Sequence, residues 1–326
     1  MNDYCEESRI KEWIQEAQLG LKSDDMNIQY IWNPGGFVNQ SYQISDGQKR
    51  LHIKFADEAH QHRLKQWASI HEYMTEIYKA PKLLVEIEES LIPGHPYGLV
   101  FEFFEGEAWK GQAWQDEILS NISELHGDPN LKRVLGGGEK TCAEAMIDTY
   151  IHRFREDMKI IDADRECLPF VKAETFDVFH KMTDQLEKEI QQANHFQCPA
   201  EDVVHNDLSQ HNILVNEENF CMIDWDDLTI GDAAADYASL LWPWVYSKEW
   251  PIWEGKVRNL SGKQVVDRMR LYFKAKLLDD VIDVLADYVE AEKYPEVKER
   301  TQERAKATHL CALELYIARY GTSLYE

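Results

Sequence analysis

The sequence predicts an α+β fold, with an antiparallel sheet in its N-terminal part and helices in most of its C-terminal part. Apolar and polar side chains alternate in short runs near the N-terminus, at residues 28–32 and 51–55, as in half-buried strands. From about residue 112 onward, apolar residues mostly recur every three or four positions, which is the spacing of amphipathic helices. A strand–loop–strand pattern at residues 203–224 interrupts these helices and contains closely spaced acidic and amide residues.

Length and composition indicate a folded globular protein with an acidic surface. The chain has 326 residues, enough for one large domain or two lobes with a substantial core. Hydrophobic residues make up 44% of it, which is typical of globular rather than disordered chains. The formal net charge of −24 argues against binding to nucleic acid or to an anionic membrane surface, since both partners are negatively charged. It permits the attraction of cationic small molecules.

The cysteines and the N-terminus indicate a cytoplasmic protein. The six cysteines include no Cys-x-x-Cys pair, and no histidine cluster has the spacing of a zinc site, so we expect reduced thiols. The acidic N-terminus lacks the basic and apolar segments of a signal peptide, and no apolar run approaches the length of a membrane span. The sequence leaves open whether the protein is a monomer or a homodimer.

The first elements are a helix and three strands. Ser8 is expected to cap the helix and Gly20 to end it. Strands are expected at residues 28–32, 37–45 and 51–55, because each run alternates apolar and polar side chains or is bounded by turn residues.

Two glycines and a lysine in this sheet suggest a nucleotide site. Gly35 and Gly36 lie in the turn between the first two strands, where the lack of a Cβ lets backbone amides approach phosphates. Lys54 lies on the third strand, on the face opposite its apolar residues, and is expected to hold the α- and β-phosphates of a nucleotide. The chain contains no G-x-x-x-x-G-K-[ST] sequence, so this site is not a P-loop.

A helix predicted at residues 57–78 follows this strand. In protein kinases a glutamate on the helix at this position pairs with the strand lysine. Glu58 and Glu72 are the candidates, and the sequence does not decide between them.

Two further strands, at residues 82–88 and 97–104, complete the predicted sheet. We therefore divide the chain into an N-terminal nucleotide-binding lobe, residues 1–104, and a C-terminal lobe, residues 105–326, for catalysis and substrate binding.

The C-terminal lobe is predicted to be mainly helical. Helices are expected at residues 141–161, 174–194 and 261–320, with Pro295 as the main interruption of the last one.

Residues 203–224 contain the polar residues that phosphoryl transfer requires. Asp207 follows His205 by two residues, Asn212 comes five residues later, and Asp224 follows the next strand. The reaction needs an acceptor for the substrate's hydroxyl proton and oxygen ligands for Mg²⁺, and kinases supply these from an Asp, an Asn and a second Asp in this order. Asp207 is therefore the candidate catalytic residue, and Asn212 and Asp224 are the candidate metal ligands.

Residues 205–215, 223–226 and 230–238 resemble the aminoglycoside phosphotransferase family, which is also similar to choline kinases. The resemblance implies a bilobal protein-kinase-like fold and Mg²⁺-dependent transfer of the γ-phosphoryl group of ATP or GTP to a hydroxyl of a small molecule. We expect this acceptor to be a cationic amine. Asn206 stands where the antibiotic kinases usually have glycine, so a choline- or ethanolamine-type kinase is an alternative. A non-catalytic nucleotide-binding protein of the same fold is a further alternative, which the intact set of Asp207, Asn212 and Asp224 disfavours.

The resemblance also implies how the nucleotide base is held. Residues 35–42 resemble the family's glycine-containing loop, and residues 101–106 are the place where the family connects its lobes. Backbone groups near Glu102 would bind the adenine edge, and aromatic rings including Phe104 would sandwich the base. His205 is expected to orient the catalytic loop, and Asp236 to accept hydrogen bonds from its backbone.

Two features of the C-terminal lobe suit a cationic acceptor. A stripe of acidic residues at helical spacing would suit a polyamine, and an aromatic segment at residues 242–253 would suit a quaternary ammonium by cation–π attraction. A solvated helix face and a packed core are the ordinary interpretations of these two patterns. The acidic residues are Asp279, Asp283, Asp287 and Glu290.

Overall fold

The computed structural model describes residues 3–22, 25–31, 39–293, 295 and 298–321. Contacts between residues group the chain into two compact units. Unit 1 comprises Met1–Leu125 and Asp207–Leu228, and unit 2 comprises His126–Asn206 and Thr229–Glu326. This grouping is based on contacts between residues. The predicted boundary at residue 104 instead separates a nucleotide-binding lobe from a catalytic and substrate-binding lobe, and that functional division stays a prediction.

Unit 1 contains an antiparallel sheet of five strands in the order β1–β2–β3–β5–β4. Two helices accompany this sheet, and a third lies further along the chain. The bounds are α1 Asp3–Glu16, β1 Asn27–Ile31, β2 Asn39–Ser45, β3 Arg50–Ala56, α2 Gln61–Tyr78, β4 Leu83–Ile87, β5 Tyr97–Glu102 and α3 Gln115–Gly127. The predicted sheet is thus confirmed. The expected cap at Ser8 is wrong, because α1 already begins at Asp3 and ends at Glu16, before Gly20.

The alternation along β3 explains its orientation. Leu51, Ile53 and Phe55 are fully buried in a core cluster with Ile10 and Ile14 of α1. Successive strand residues point to opposite faces, so Lys54 lies on the other side of the sheet.

A second, three-stranded sheet of unit 1 is formed by β6 Glu107–Ala108, β8 Ile213–Val215 and β9 Phe220–Met222. The backbone N–H of Trp109 continues this pairing by donating to the carbonyl of Ile213 at 2.8 Å, and the Trp109 side chain is fully buried. The loop before β8 is thereby held against the N-terminal half of the chain.

Unit 2 is mainly helical and includes a two-stranded sheet. The bounds are α4 Pro129–Leu135, α5 Cys142–Met146, a π-helical turn Ile147–Ile151, α6 His152–Ala163, α7 Ala173–Gln192, β7 Asp202–Val204, β10 Thr229–Gly231, α8 Ala233–Leu241, α9 Trp250–Glu290 and α10 Lys298–Tyr320. The predicted helices are confirmed, and Pro295 lies between α9 and α10 as expected. Within α9, Gly262 has φ +87°, which interrupts the helix. Over the described ranges, no helix is long and apolar enough to cross a membrane.

Candidate functional site

Lys54 of β3 contacts two carboxylates that follow β9. Its ammonium group forms ion pairs with Asp224 and Asp226, and the lysine is only 8% exposed. Burial lowers the pKa of Lys54, but the carboxylates of Asp226 and Asp224 outweigh this effect and raise it above its ordinary value. The lysine is therefore charged at neutral pH.

Asp224 adopts a left-handed backbone conformation, with φ +66° and ψ +52°. This region is uncommon for residues other than glycine, although Asp tolerates it better than most. The conformation ends β9 with a sharp turn, after which Trp225 anchors the chain by donating from Nε1 to the carbonyl of Met222 at 2.6 Å. Both carboxylates that contact Lys54 thus lie on a tightly held segment.

Asp207 and Asn212 are joined directly. The side-chain amide of Asn212 donates to the backbone carbonyl of Asp207 at 2.7 Å and to its carboxylate at 3.0 Å. The backbone carbonyl of Asn212 accepts a hydrogen bond from the N–H of Ile223 at 2.9 Å, and Ile223 directly precedes Asp224. The structure therefore brings Lys54, Asp207, Asn212 and Asp224 together in unit 1.

Asp236 of α8 holds the start of the catalytic loop, as expected from the sequence. Its carboxylate accepts the backbone N–H groups of His205 at 2.8 Å and Asn206 at 2.9 Å. His126 also contacts this carboxylate, with its Nε2 at 3.1 Å. Sequence reasoning missed His126, because a histidine 110 residues from its partner carries no local signal.

Asp232 caps α8. Its carboxylate accepts the N–H of Ala234 at 2.9 Å, and Arg268 of α9 donates from Nε to both of its oxygens at 3.0 and 2.9 Å. Arg268 had no signal in the sequence beyond its charge.

The predicted residues for base binding lie at one end of the five-stranded sheet. Glu102 ends β5 and is exposed, whereas Phe104 is half-buried. Gly35 and Gly36 lie outside the described residues. The roles of these four residues stay predictions.

His52 is a further side chain on the Lys54 face of β3. Its ring stacks on Phe101, with centroids 5.8 Å apart and an interplanar angle of 28°. Burial, together with the charge of Lys54, lowers the pKa of His52 to about 4, so the imidazole is neutral at neutral pH. Sequence reasoning did not single out His52.

The two glutamates proposed as partners of Lys54 do not reach it. Glu58 and Glu72 are exposed, and within the described part of the chain neither forms an ion pair with Lys54. The helix α2 instead contacts the segment after Asp224: Gln66 donates to the carbonyl of Leu228 at 2.9 Å, and Arg63 pairs with Asp227.

Unit 2 contains a cavity of about 240 Å³. Its wall includes Asn206, which directly precedes Asp207 in the chain, and an ion pair between Lys140 and Asp148 at 2.6 Å. The remaining lining combines aromatic, hydroxyl and small side chains, including Tyr150, Tyr272 and Ser239. This composition suits a small polar ligand.

The acidic stripe of α9 is partly buried against α6. Asp279 pairs with Arg153, and burial raises the pKa of Asp279 to about 6. Burial, reinforced by repulsion from Asp283, raises the pKa of Asp157 on α6 to about 7. One oxygen of Asp157 is buried and has no hydrogen-bond partner among the described residues. The stripe is therefore more than a solvated helix face.

The aromatic segment at residues 242–253 packs largely within unit 2. Trp242 and Trp250 contact Phe273 of α9, with ring centroids 6.2 and 5.0 Å away, and Trp244 contacts Trp253 at 4.9 Å. These contacts support the interpretation of the segment as core.

Comparison with known proteins identifies the family whose sequence pattern this chain matches. A model of the phosphotransferase enzyme family APH matches residues 32–272. In the described residues, no group of three or more His, Cys, Asp or Glu side chains could hold a metal by itself.

Several solved structures share the fold. Spectinomycin phosphotransferase in complex with ADP and spectinomycin has a TM-score of 0.64 at 15% identity, covering 95% of this chain and 97% of that one. A choline kinase from Cryptosporidium parvum Iowa II has a TM-score of 0.57 at 18% identity, covering 97% and 99% of the two chains. The GDP complex of an aminoglycoside 2'-phosphotransferase has a TM-score of 0.61 at 12% identity, covering 93% and 98%. At such low sequence identities, the structural matches establish the fold alone. They confirm the kinase-like α+β fold predicted from the sequence.

Proposed function

The chain belongs to the APH phosphotransferase enzyme family, and we propose that it transfers the γ-phosphoryl group of ATP or GTP to a hydroxyl of a small cationic molecule. One observation carries the proposal: the contact of Lys54 with Asp224 and the hydrogen bonds between Asn212 and Asp207 gather these four residues in one compact unit. This is the set of charges and oxygens that phosphoryl transfer requires.

In the proposed reaction, Asp207 accepts the proton of the acceptor hydroxyl or orients that hydroxyl toward the γ-phosphorus. The amide of Asn212 holds the Asp207 carboxylate in place, as its 3.0 Å hydrogen bond shows. Lys54 holds the α- and β-phosphates, since its ammonium is charged and contacts Asp224, the proposed metal ligand. Most of the rate enhancement then comes from positioning and electrostatic stabilisation.

Asn212 and Asp224 would hold Mg²⁺, and their chemistry fits this metal. Mg²⁺ prefers oxygen ligands and usually binds through one or two carboxylates together with the phosphates of the substrate, so a closed cage of acidic residues is not needed. The nitrogen of the Asn212 amide is used by Asp207, which leaves the amide oxygen as its donor to a metal. When bound, Mg²⁺ neutralises charge that develops on the transferring group.

Gly35 and Gly36 would approach the phosphates, and the chain around Glu102 and Phe104 would bind the base. ADP in one similar structure and GDP in another are consistent with either purine nucleotide as the donor. We also propose that the protein is cytoplasmic, as expected from the sequence.

The acceptor is proposed to bind in the cavity of unit 2. The chain connection between Asn206, in its wall, and Asp207 supports this choice. A cationic acceptor is supported by the partly buried acidic stripe of α9, which follows the lining residue Tyr272 along the same helix.

A choline- or ethanolamine-type kinase is a second candidate, favoured by the size of this cavity. Its volume of about 240 Å³ lies below the roughly 300–1,000 Å³ of pockets for drug-sized ligands. An amino alcohol fits this space more readily than an antibiotic with three rings.

The test is a phosphorylation assay with ATP and with GTP, using amino alcohols, aminoglycosides and neutral sugars as acceptors. We expect acceptor-dependent release of nucleoside diphosphate with at least one amine, and release slower by roughly 10²- to 10⁴-fold with the Asp207→Asn variant. Tight nucleotide binding without turnover of any acceptor would support the non-catalytic alternative. Turnover confined to neutral or anionic acceptors would contradict the cationic class.

A further inference from the structure

Asp226 lies two residues after Asp224 and contacts two separate parts of the sheet. One of its oxygens, Oδ2, contacts the ammonium of Lys54 on β3 and accepts a hydrogen bond from the side-chain amide of Asn39 at 2.7 Å. Asn39 is the first residue of β2 and comes three residues after Gly36 in the sequence. Asp226 therefore connects the lysine strand, the start of β2 and the segment that follows β9.

The surroundings of Asp226 favour a fixed position. Its side chain is 12% exposed, compared with 32% for Asp224, so it is shielded from water more fully than the neighbouring carboxylate. Trp225, which is 2% exposed, anchors the backbone on one side. On the other side Leu228 accepts a hydrogen bond from Gln66.

The helix α2 supplies no acidic group to Lys54. Its contacts with residues 227 and 228 come from an arginine and a glutamine, and its two glutamates, Glu72 and Glu76, are exposed. The Lys54 ammonium, which is buried, still needs a counter-charge, because an unpaired buried charge is costly. Asp224 and Asp226 meet this need in the structure.

The two carboxylates have different tasks in the proposed reaction. If Asp224 donates its oxygens to Mg²⁺, it is less able to serve as the partner of the lysine. Asp226 then remains as the group that holds the Lys54 ammonium beside the phosphates. This argument rests on the proposed nucleotide and metal roles of Lys54 and Asp224.

We propose that Asp226 is the positioning residue for Lys54, and that it takes the place of an acidic residue on α2. It fixes the ammonium through its direct contact and fixes its own orientation through Asn39. The arrangement of the lysine is then coupled to the segment after β9 rather than to a movement of α2.

The experiment measures nucleotide affinity by calorimetry in Mg²⁺ and, separately, in excess EDTA, for the wild type and for Asp226→Asn. Loss of a charged hydrogen-bond partner predicts an affinity about 10- to 100-fold lower in Mg²⁺. The loss in EDTA should be smaller but still measurable, because Asp224 can then also pair with Lys54. In combination with Lys54→Met, Asp226→Asn should cause little further loss, since the two residues act through one contact.

Asp227→Asn is the matched control, because it makes the same chemical change at the next residue, whose partner Arg63 is exposed. We expect its affinity to stay within about twofold of the wild type. Glu72→Gln should likewise have no effect, whereas a loss equal to that of Asp226→Asn would assign the role to α2 and overturn the proposal.

Two other results would overturn it. A loss of affinity confined to the Mg²⁺ buffer would make Asp226 a metal ligand, and full additivity with Lys54→Met would show that the two residues act independently. If Asp226→Asn does not fold, Asp226→Glu keeps the charge. A loss of up to about fivefold in Mg²⁺ with a smaller loss in EDTA supports the proposal, and a loss in Mg²⁺ alone rejects it. Absence of nucleotide binding by the wild type would instead reject the proposed function.

Discussion

At the scale of single residues, the polar side chains of the site have different roles in the proposed reaction. Asp207, held by Asn212, faces the acceptor in the proposed reaction, whereas Asp224 and Lys54 face the nucleotide. Each role can be separated by experiment, because removal of the proton acceptor and removal of a metal ligand affect different steps.

Asp207→Asn is expected to lower kcat by roughly 10²- to 10⁴-fold, the usual contribution of acid–base assistance, with nucleotide affinity nearly unchanged. Asparagine preserves the shape of the side chain but cannot accept the hydroxyl proton as a carboxylate does. Steady-state kinetics and calorimetric titration of the nucleotide measure the two effects. A variant with wild-type kcat would show that Asp207 is not the base.

Asp224→Ala is expected to abolish the dependence of nucleotide affinity on Mg²⁺, because alanine supplies no oxygen ligand. Asn212→Ala should weaken this dependence less, since an uncharged amide oxygen binds Mg²⁺ less strongly than a carboxylate does. Titration of nucleotide at several Mg²⁺ concentrations measures both. Unchanged Mg²⁺ dependence in Asp224→Ala would remove this residue from the metal site.

At the scale of secondary-structure elements, acidic side chains are concentrated where α6 packs on α9. Asp157 of α6 faces α9 and one arginine of its own helix, and its pKa is raised to about 7 by burial and by repulsion from neighbouring carboxylates, which Arg153 opposes. The charged groups near it are Asp283, Arg153, Asp279 and Asp287. Packing of these helices is therefore sensitive to protonation.

The sign of the effect follows from the raised pKa of Asp157. The carboxyl binds its proton more tightly in the folded protein than in the unfolded chain, whose ordinary pKa is 3.8. Its favourable contribution to the free energy of unfolding is therefore fully present below about pH 4 and is lost as the pH rises through about 7.

Asp157→Asn should remove the loss of stability that ionisation of Asp157 causes, and so raise Tm at pH 8 more than at pH 5.5, since an amide carries no charge at either pH. Thermal unfolding of the wild type and the variant at both values measures the effect. Glu156→Gln, an exposed neighbour paired with Lys159, is the control and should leave the pH dependence of Tm unchanged. An equal change of Tm at both pH values would mean that Asp157 does not titrate in this range.

At the scale of the whole molecule, the formal net charge of −24 gives the protein a field that attracts cations. Such a field raises the rate at which a positively charged acceptor encounters the protein. It repels the anionic nucleotide, so nucleotide binding depends on attraction by Lys54 and on the Mg²⁺ that the nucleotide carries. Salt screens this field, with a Debye length of about 8 Å at physiological ionic strength.

We expect kcat/KM for a cationic acceptor to fall several-fold between about 0.02 and 0.5 M salt, whereas kcat stays nearly constant, because screening weakens attraction before binding but not the chemistry after it. Initial rates at saturating nucleotide measure both parameters. An increase of kcat/KM with salt would argue that the acceptor is neutral or anionic.

The sequence alone determined those features that depend on neighbours along the chain. Periods of two and of about three and a half residues predicted the strands and helices, since they follow from backbone geometry. The spacing of Asp207, Asn212 and Asp224 predicted phosphoryl transfer, because one loop and one hairpin hold all three.

Only the tertiary structure decided which distant groups meet. Lys54 is 170 residues from Asp224, and His126 is 110 residues from Asp236, so no local pattern links these pairs. The analogy with kinases predicts a glutamate partner for Lys54 and leaves Glu58 and Glu72 as candidates, but Lys54 receives its counter-charge from Asp224 and Asp226 instead. A buried ammonium requires a carboxylate within reach, and several elements could supply one; the folded backbone determines which of them comes close enough.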